Sequence, residues 1–308
     1  MSKENGINIK LFDDCNKILL DILDNAEIDK KEKEYRKKRL MTVYNDMVKG
    51  NYRDSRYYDM VHEIKSLEFL SKYPNLQISN DHKGKSGCDF KIYSNYNVEC
   101  VNSSSGNKIK NGLDKFDGFG VFDYNVKENI ILTRLSQSIK EKKIFYDNHI
   151  ANGTIKVNEP YVVFLSSGDL REGSFFNSFG FTLNKILLGV GHEKIVFDAQ
   201  NNKVIDSFYE HKDVIYNHNN SEICSNIFGT LEYECLSGVL FTTASLDEHY
   251  TKDNTFLFIN PFAKNKICAN KFSDIIYWNK YKNPDGKLVY YPRYKGKNLN
   301  DKLKHKFF

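Results

Sequence analysis

Long apolar runs and paired cysteines are both missing from this sequence. No stretch reaches the roughly 18 consecutive apolar residues that a membrane-spanning helix needs, and the opening residues are charged where a signal peptide would be apolar. The six cysteines are scattered without a CxxC pair, which argues against a disulfide framework and against a zinc ribbon. We therefore expect a cytoplasmic protein without membrane contact, whose thiols are reduced and mostly buried.

The composition is that of a folded globular chain. Hydrophobic residues make up 40 % and charged residues 28 % of the 308 positions, which excludes the disordered and fibrous classes. The aromatic share of 14 % predicts a core rich in rings. A chain of this length can bury a substantial core, and we expect one main domain with an extension at each end.

Positive charge is concentrated at the C-terminus. The net charge of +5 is too small to identify a nucleic-acid binder, but residues 271–308 contain ten Lys or Arg against three Asp. Lysines are interleaved there with aromatic residues. The pattern fits phosphate attraction with base stacking, and it also fits the basic outer face of an edge hairpin that turns near Pro284 and Gly286. These two interpretations are compatible.

Periodicity and charge divide the chain into three parts. Residues 1–50 predict a charged helical arm, in which the run KKEKEYRKKR at 30–39 is interpreted as a solvent-facing surface. Residues 51–270 predict an α/β domain. Residues 271–308 form the basic, aromatic extension.

Within the α/β part, helices and strands alternate. Helices are predicted at 59–72 and 130–150. The segment 102–128 between the second group of strands and the second helix is rich in Gly, Ser and Asn, and a connection of that length is typically functional or mobile. Strands are predicted at 76–79, 89–93, 97–101, 161–165, 194–197, 239–243 and 256–259, the last four of them buried.

Three acidic residues are candidates for a metal site. Asp89 opens one predicted strand and Glu99 lies in the next, so pairing of these strands would bring two carboxylates within reach of one Mg²⁺ ion. Strand alternation would place Cys88 and Cys100 on the opposite face. Glu63 lies on the inward flank of the preceding helix and is the third candidate.

The segments HEIKSLEFLSKYPNLQI, GKSGCDFKI and YNVECVN together resemble the helix and two strands at the active-site core of the PD-(D/E)XK nuclease superfamily. The resemblance implies a three-layer α/β/α restriction-endonuclease-like core with a mixed central sheet. It also implies that Glu63, or Glu68 on the other flank of the helix, joins Asp89 and Glu99 in binding Mg²⁺ or Mn²⁺. The position of the superfamily's lysine is occupied by Val101.

Lys142 is the candidate replacement for that lysine. Val101 can neither donate a proton nor stabilise a phosphate charge, so catalysis would need another cation. Lys142 lies on the apolar side of the second helix, between Ile139 and Tyr146. A lysine in such a place either has a carboxylate partner or lies at an edge, where its stem covers apolar surface and its ammonium reaches water. The sequence leaves both open.

The expected function is metal-dependent hydrolysis of DNA by an endonuclease, in restriction or another phage-defence role. Its catalytic residues would be Glu63, Asp89, Glu99 and Lys142, its partner nucleic acid, and a homodimer is compatible with it. The alternative is a catalytically silent member of the same fold that binds nucleic acid or a partner protein. A lysine ammonium close to the carboxylates of Asp89 and Glu99 would favour the enzyme.

Overall fold

The computed structural model describes residues 9–50, 55–79, 87–103, 124–166, 181–216, 220–272, 276–282, 288–294 and 297–298. Within these ranges no helix is both long and apolar enough to cross a membrane. Most of the predicted connection 102–128 lies outside the described residues. So does the beginning of the predicted arm, at residues 1–8.

The helices of the described residues are α1 (Ile9–Asn25), α2 (Lys30–Gly50), α3 (Ser55–Leu70), α4 (Tyr124–Ala151) and α5 (Phe181–Leu187). The predicted arm is thus two helices, separated near Asp29. Asp29 Oδ1 accepts hydrogen bonds from the backbone N–H groups of Lys31 and Glu32, at 2.9 and 3.3 Å. This caps α2, because the first turn of a helix has no internal partners for its N–H groups.

The strands, in chain order, are β1 (Gln77–Ile78), β2 (Phe90–Ile92), β3 (Tyr96–Asn102), β4 (Tyr161–Ser166), β5 (Val190–Asp198), β6 (Lys203–His211), β7 (Val214–Tyr216), β8 (Glu222–Cys224), β9 (Leu236–Thr242), β10 (Thr255–Ile259), β11 (Ile276–Lys282), β12 (Leu288–Tyr294) and β13 (Lys297–Asn298). Nine of these described strands form one sheet in the order β1-β2-β3-β4-β9-β10-β11-β12-β13. β1, β2 and β3 form an antiparallel meander, and β3, β4 and β9 are parallel. The sheet is therefore mixed.

Helices cover both faces of this sheet. On one face, Leu19 of α1 and Leu67 of α3 pack in a core that includes Phe164 of β4. On the other face, Ile139 of α4 packs in a second core with Val163 of β4. Neighbouring residues of β4 thus enter opposite cores, which is what its unbroken apolar run predicts. The prediction of a mixed α/β fold is confirmed.

The charged run at 30–39 is only partly a solvated surface. Glu32 and Arg36 are 0 % and 1 % exposed, so the prediction of a solvent-facing run is wrong for these two. They lie one helical turn apart and form the inward side of α2. Leu40, one further turn along, is buried in the core that also holds α1 and α3. The N-terminal helices therefore contribute to the main core.

One strand predicted to be buried is exposed. Residues 194–197 lie in β5, which in the described chain pairs with β6 alone to form a two-stranded ribbon. Ile195 and Phe197 are 59 % and 53 % exposed. An apolar run indicates burial only where a further layer covers it, and no further strand of the described chain joins this ribbon.

The C-terminal extension forms an edge hairpin in its described backbone. β11 adds to β10 in parallel, and β12 returns antiparallel with Leu288 opposite Lys282. The hairpin interpretation is confirmed for these strands. The turn at 283–287 and the basic and aromatic side chains after Phe272 lie outside what the structure describes.

Candidate active site

β3 presents Glu99 to the face that α4 covers. Its neighbours Val98 and Cys100 point to the α3 face, as alternation along a strand requires. Lys142 reaches Glu99 from α4, and its Nζ lies 2.8 Å from Oε1. Only 14 % of the Lys142 side chain and 7 % of the Glu99 side chain are exposed. Lys142 therefore has a carboxylate partner and does not depend on an edge position.

The surroundings keep Lys142 charged. Burial lowers the pKa of Lys142, but the Glu99 carboxylate and the hydrogen bond to it act in the opposite direction, with a further contribution from Asp89, and the pKa is raised overall. The lysine is consequently protonated at neutral pH. A lysine in this state can stabilise negative charge on a bound group, but it cannot accept a proton.

Asp89 joins this pair from the residues that lead into β2. Its Oδ2 accepts a hydrogen bond of 2.6 Å from the backbone N–H of Cys100, since β2 and β3 pair antiparallel. Burial raises the pKa of Asp89 well above its usual value, and the negative charges of Glu99 and Glu63 raise it further, against the opposing effect of Lys142. The structure thus brings both strand acids together with the helix lysine.

Glu63 lies near these acids but is held by an arginine. Arg36 Nη1 contacts Glu63 Oε1, and Arg36 Nε lies 2.7 Å from Glu32 Oε1. The Arg36 and Glu32 side chains are each 1 % exposed and the Glu63 side chain 11 %. A buried arginine of this kind needs carboxylates to balance its charge. Glu63 is therefore committed to an ion pair, although its charge still reaches Asp89.

The rival helix acid lies elsewhere, and the usual lysine position holds an apolar side chain. Glu68 Oε2 is 2.8 Å from Nδ1 of His249 at the surface, whereas Glu63 is, after burial and Glu99, a cause of the raised pKa of Asp89. Val101 packs against the core under α4. Of the two helix acids, Glu63 is the one close to the strand carboxylates.

Two residues of this cluster were not predicted from the sequence. Three possible metal ligands lie within 4.8 Å of one another: the thiol sulfur of Cys88, a carboxylate oxygen of Glu99 and a ring nitrogen of His149. The prediction that Cys88 and Cys100 share the face opposite the acids is correct for Cys100 and wrong for Cys88. Cys88 precedes β2, so strand alternation does not govern it. His149 could have been noticed, because it follows Lys142 by two helical turns and shares its side of α4.

Magnesium, the ion implied by the resemblance, takes oxygen ligands. Asp89 and Glu99 fit this requirement, since each has one oxygen already engaged and another that is not. Glu99 Oε2 is buried and has no hydrogen-bond partner in the described part of the chain, so a cation beside it would satisfy an orphaned acceptor. Glu63 is less suited, because Arg36 engages its Oε1 and α3 packs on the face of the sheet opposite the one that Glu99 faces.

Known proteins offer no guide to this site. No family model matches the chain, and neither the curated proteins nor the solved structures contain a significant match. Its function has to be inferred from its own residues and their geometry.

Proposed function

We propose that this chain is a metal-dependent endonuclease of the PD-(D/E)XK type that hydrolyses phosphodiester bonds in DNA. The observation that carries the proposal is the contact of 2.8 Å between Lys142 Nζ and Glu99, within a buried cluster that also contains Asp89. Val101 leaves the strand without the superfamily's lysine, and α4 provides one from the facing layer. The proposed site thus has the acids and the cation that this chemistry uses, although the lysine comes from a helix and not from the strand that holds Glu99.

Each side chain has a role in this proposal. Asp89 and Glu99 would hold Mg²⁺ or Mn²⁺, and the bound ion would supply an activated water and charge neutralisation. Lys142, which remains protonated, would stabilise the negative charge that develops on the phosphate and would not act as a general base. Glu99 would orient Lys142 through their hydrogen bond.

Asp89 would couple ion binding to pH. Its raised pKa means that the metal-free site favours the protonated carboxyl group. A divalent ion binds the ionised form, so binding would release a proton and would strengthen as the pH rises. Cleavage should therefore be stronger above the pKa of Asp89 than below it.

The arrangement of the elements supports the fold named in the proposal. α3 and the meander of β1, β2 and β3 are followed by α4 and then by β4, which is parallel to β3. α3 and α4 lie on opposite faces of the sheet. A three-layer, restriction-endonuclease-like core has this order of layers, and of the proposed acids Glu99 lies on β3 and Asp89 immediately precedes β2. Restriction or another phage-defence role, with DNA as the partner, is part of the proposal.

A catalytically silent nuclease fold that binds nucleic acid is the second candidate. The observation that favours it is the ion pair between Arg36 and Glu63, which removes the predicted helix ligand from the site. In that case Lys142 and Glu99 would be a buried, mutually compensated ion pair without a catalytic role. Binding without cleavage is the outcome that separates this candidate from the enzyme.

The test is a cleavage assay on purified protein with supercoiled plasmid, linear duplex, single-stranded DNA and RNA, each with Mg²⁺ or Mn²⁺ and with EDTA. Asp89→Asn and Glu99→Gln should abolish cleavage. Lys142→Met should reduce its rate by about 100-fold to 1,000-fold, the usual effect of losing a group that stabilises the transition state. Lys143→Met, the next residue on α4, is the matched control and should cleave normally.

Unchanged cleavage by Asp89→Asn and Glu99→Gln would overturn the assignment of the site. Absence of cleavage by the native protein, together with DNA binding in a mobility-shift assay, would favour the silent fold. Circular dichroism of every variant shows whether a lost activity reflects a lost fold.

A further inference from the structure

Two electron-pair donors face each other beside the pair of Lys142 and Glu99. His149 Nε2 lies 3.9 Å from Glu99 Oε2, and both side chains are buried. This distance is too long for a hydrogen bond, and Oε2 makes none to any other described residue. The other carboxylate oxygen, Oε1, is already bound by Lys142. A buried acceptor without a partner is a position that a bound water or cation would satisfy.

Thr154 determines which nitrogen of neutral His149 carries the proton. Thr154 Oγ1 lies 2.7 Å from Asn152 Oδ1 and 3.2 Å from the carbonyl oxygen of His149, and both of these atoms only accept hydrogen bonds. The hydroxyl proton is used on one of them, so Oγ1 accepts from His149 Nδ1 at 3.0 Å. Nε2 is then left with a lone pair that faces Glu99. Metal-binding histidines are typically oriented in this way, through a hydrogen bond from the other ring nitrogen.

Cys88 provides a third donor to the same place. Its Sγ, a carboxylate oxygen of Glu99 and a ring nitrogen of His149 lie within 4.8 Å of one another. Two ligands of one tetrahedral zinc ion are about 3.4–3.6 Å apart, given a Zn–S distance of about 2.3 Å and Zn–N and Zn–O distances of about 2.1 Å. Modest rotations of the side chains would close the three donors around one ion.

We propose that Cys88, Glu99 and His149 bind one Zn²⁺ ion. A thiolate and an imidazole are donors that zinc accepts readily and magnesium does not. The charges agree with this choice. Burial raises the pKa of the Cys88 thiol and of Asp89 in the metal-free protein, and a divalent ion would displace their protons. The ion and Lys142 would then bring three positive charges against the three negative charges of Cys88, Asp89 and Glu99. Three protein donors also leave a fourth position open, which is the pattern of catalytic zinc sites.

This site deepens the proposed function. A catalytic role for the zinc ion rests on that function, whereas the binding of the ion does not. It replaces the Mg²⁺ or Mn²⁺ implied by the resemblance with zinc, because two of the three donors are not oxygens. Glu99 is shared, with one oxygen toward the ion and the other toward Lys142. The ion would therefore be held beside a lysine that the same carboxylate positions.

The experiment measures metal binding directly, without reference to activity. Protein stripped with a chelator is titrated with Co²⁺, whose thiolate ligation gives a near-ultraviolet charge-transfer band, and Zn²⁺ is then added to displace it. Bound zinc is counted by elemental analysis. We expect one ion per chain, loss of the charge-transfer band in Cys88→Ser, and loss of tight binding in His149→Gln. Cys268→Ser and His249→Gln, which alter an exposed thiol and an exposed imidazole, are the matched controls and should bind normally.

Thr154→Val is a milder variant for the case in which a ligand variant fails to fold. It leaves all three donors in place and removes the hydrogen bond that orients His149. It should weaken zinc binding by about 10-fold to 100-fold, the usual effect of losing such a partner. Native affinity in this variant would contradict the role given to Thr154 and count against the site.

The outcomes separate this inference from the proposed nuclease function. One zinc ion per chain that depends on Cys88 and His149, without any cleavage of nucleic acid, would support the zinc site and overturn the nuclease. Cleavage with Mg²⁺ by a protein that binds no zinc would overturn the zinc site and leave the nuclease standing. Zinc binding that survives in both Cys88→Ser and His149→Gln would also overturn it.

Discussion

Replacing Lys142 by Met tests the buried ion pair at the centre of the candidate site. Its charged atoms are 2.8 Å apart, and at an effective dielectric constant of about 20 their attraction is on the order of 6 kcal/mol. Desolvation of the two ions costs several kcal/mol each, so the intact pair adds little net stability. Removing only the cation leaves Glu99 buried and uncompensated. Lys142→Met should therefore lower the free energy of unfolding by about 3–5 kcal/mol.

Urea unfolding in EDTA, followed by circular dichroism, measures this loss. Lys143→Met is the control, because Lys143 pairs with Asp147 at 2.8 Å where 51 % of the carboxylate side chain is exposed, and such a surface pair contributes about 0–1 kcal/mol. The double variant Lys142→Met, Glu99→Leu removes both charges. It should regain most of the lost stability, because no uncompensated charge remains in the core.

The pH dependence gives an independent check on the same pair. The pKa of Lys142 is higher in the fold than in the unfolded chain, even though burial alone would lower it, because the Glu99 carboxylate raises it. Its contribution to stability is therefore complete below the unfolded pKa of about 10.4 and is lost as the pH rises through the folded value. The native and Lys142→Met curves should approach each other as the pH rises into the strongly alkaline range. Equal urea midpoints for Lys142→Met and Lys143→Met at neutral pH would refute the reasoning.

Three further substitutions test the other buried ionisable groups, each by urea unfolding in EDTA. Asp89→Asn should stabilise the protein at neutral pH, because burial raises the pKa of Asp89. Each unit of that rise lowers the free energy of unfolding by about 1.4 kcal/mol once the pH exceeds the pKa of the folded state. A loss of stability in Asp89→Asn would contradict this. Burial lowers the pKa of His62 to about 4. Acidification from about pH 6.5 to 4 should therefore lower the free energy of unfolding by about 3 kcal/mol more in the native protein than in His62→Gln. Parallel pH profiles of the two proteins would argue against this. Arg36→Met should lower the free energy of unfolding by about 3–5 kcal/mol, because it leaves buried carboxylates without their cation. Arg56→Met, which alters an arginine side chain that is 61 % exposed, should lower it by less than about 1 kcal/mol. Equal losses in the two variants would show that Arg36 is not buried.

Local periodicity was sufficient to predict most of the sheet. The run of β4 is apolar from Tyr161 to Leu165, and the structure buries it on both faces. Alternation along β3 correctly separated Glu99 from Cys100. The same reasoning failed for residues 194–197, because an apolar strand does not reveal whether another layer will cover it. Periodicity describes one element, whereas burial depends on the element that packs against it.

The candidate site was predictable where a residue conflicts with its surroundings. Lys142 could be identified because a charge on the apolar side of a helix needs a partner. Arg36 could not, since it lies within a run of charges of both signs in which nothing distinguishes the buried member. Cys88 was misplaced because it lies ahead of β2, where no period applies. The contacts that define the site join elements far apart in sequence, and only the fold supplies them.

Asp89 is the residue at which these contacts meet. From one side of the sheet, Arg36 balances Glu63, and from the other side Lys142 balances Glu99. In the described part of the chain Asp89 itself forms no ion pair, and burial raises its pKa, with the negative charges of Glu99 and Glu63 adding to the rise. Lys142 and the backbone N–H of Cys100 offset only part of the cost of ionising Asp89, so positive charge from outside the chain would favour its ionised form. A divalent cation would supply that charge, and this imbalance, together with the unpartnered Oε2 of Glu99 in the described part of the chain, is the physical reason for proposing a metal at the site.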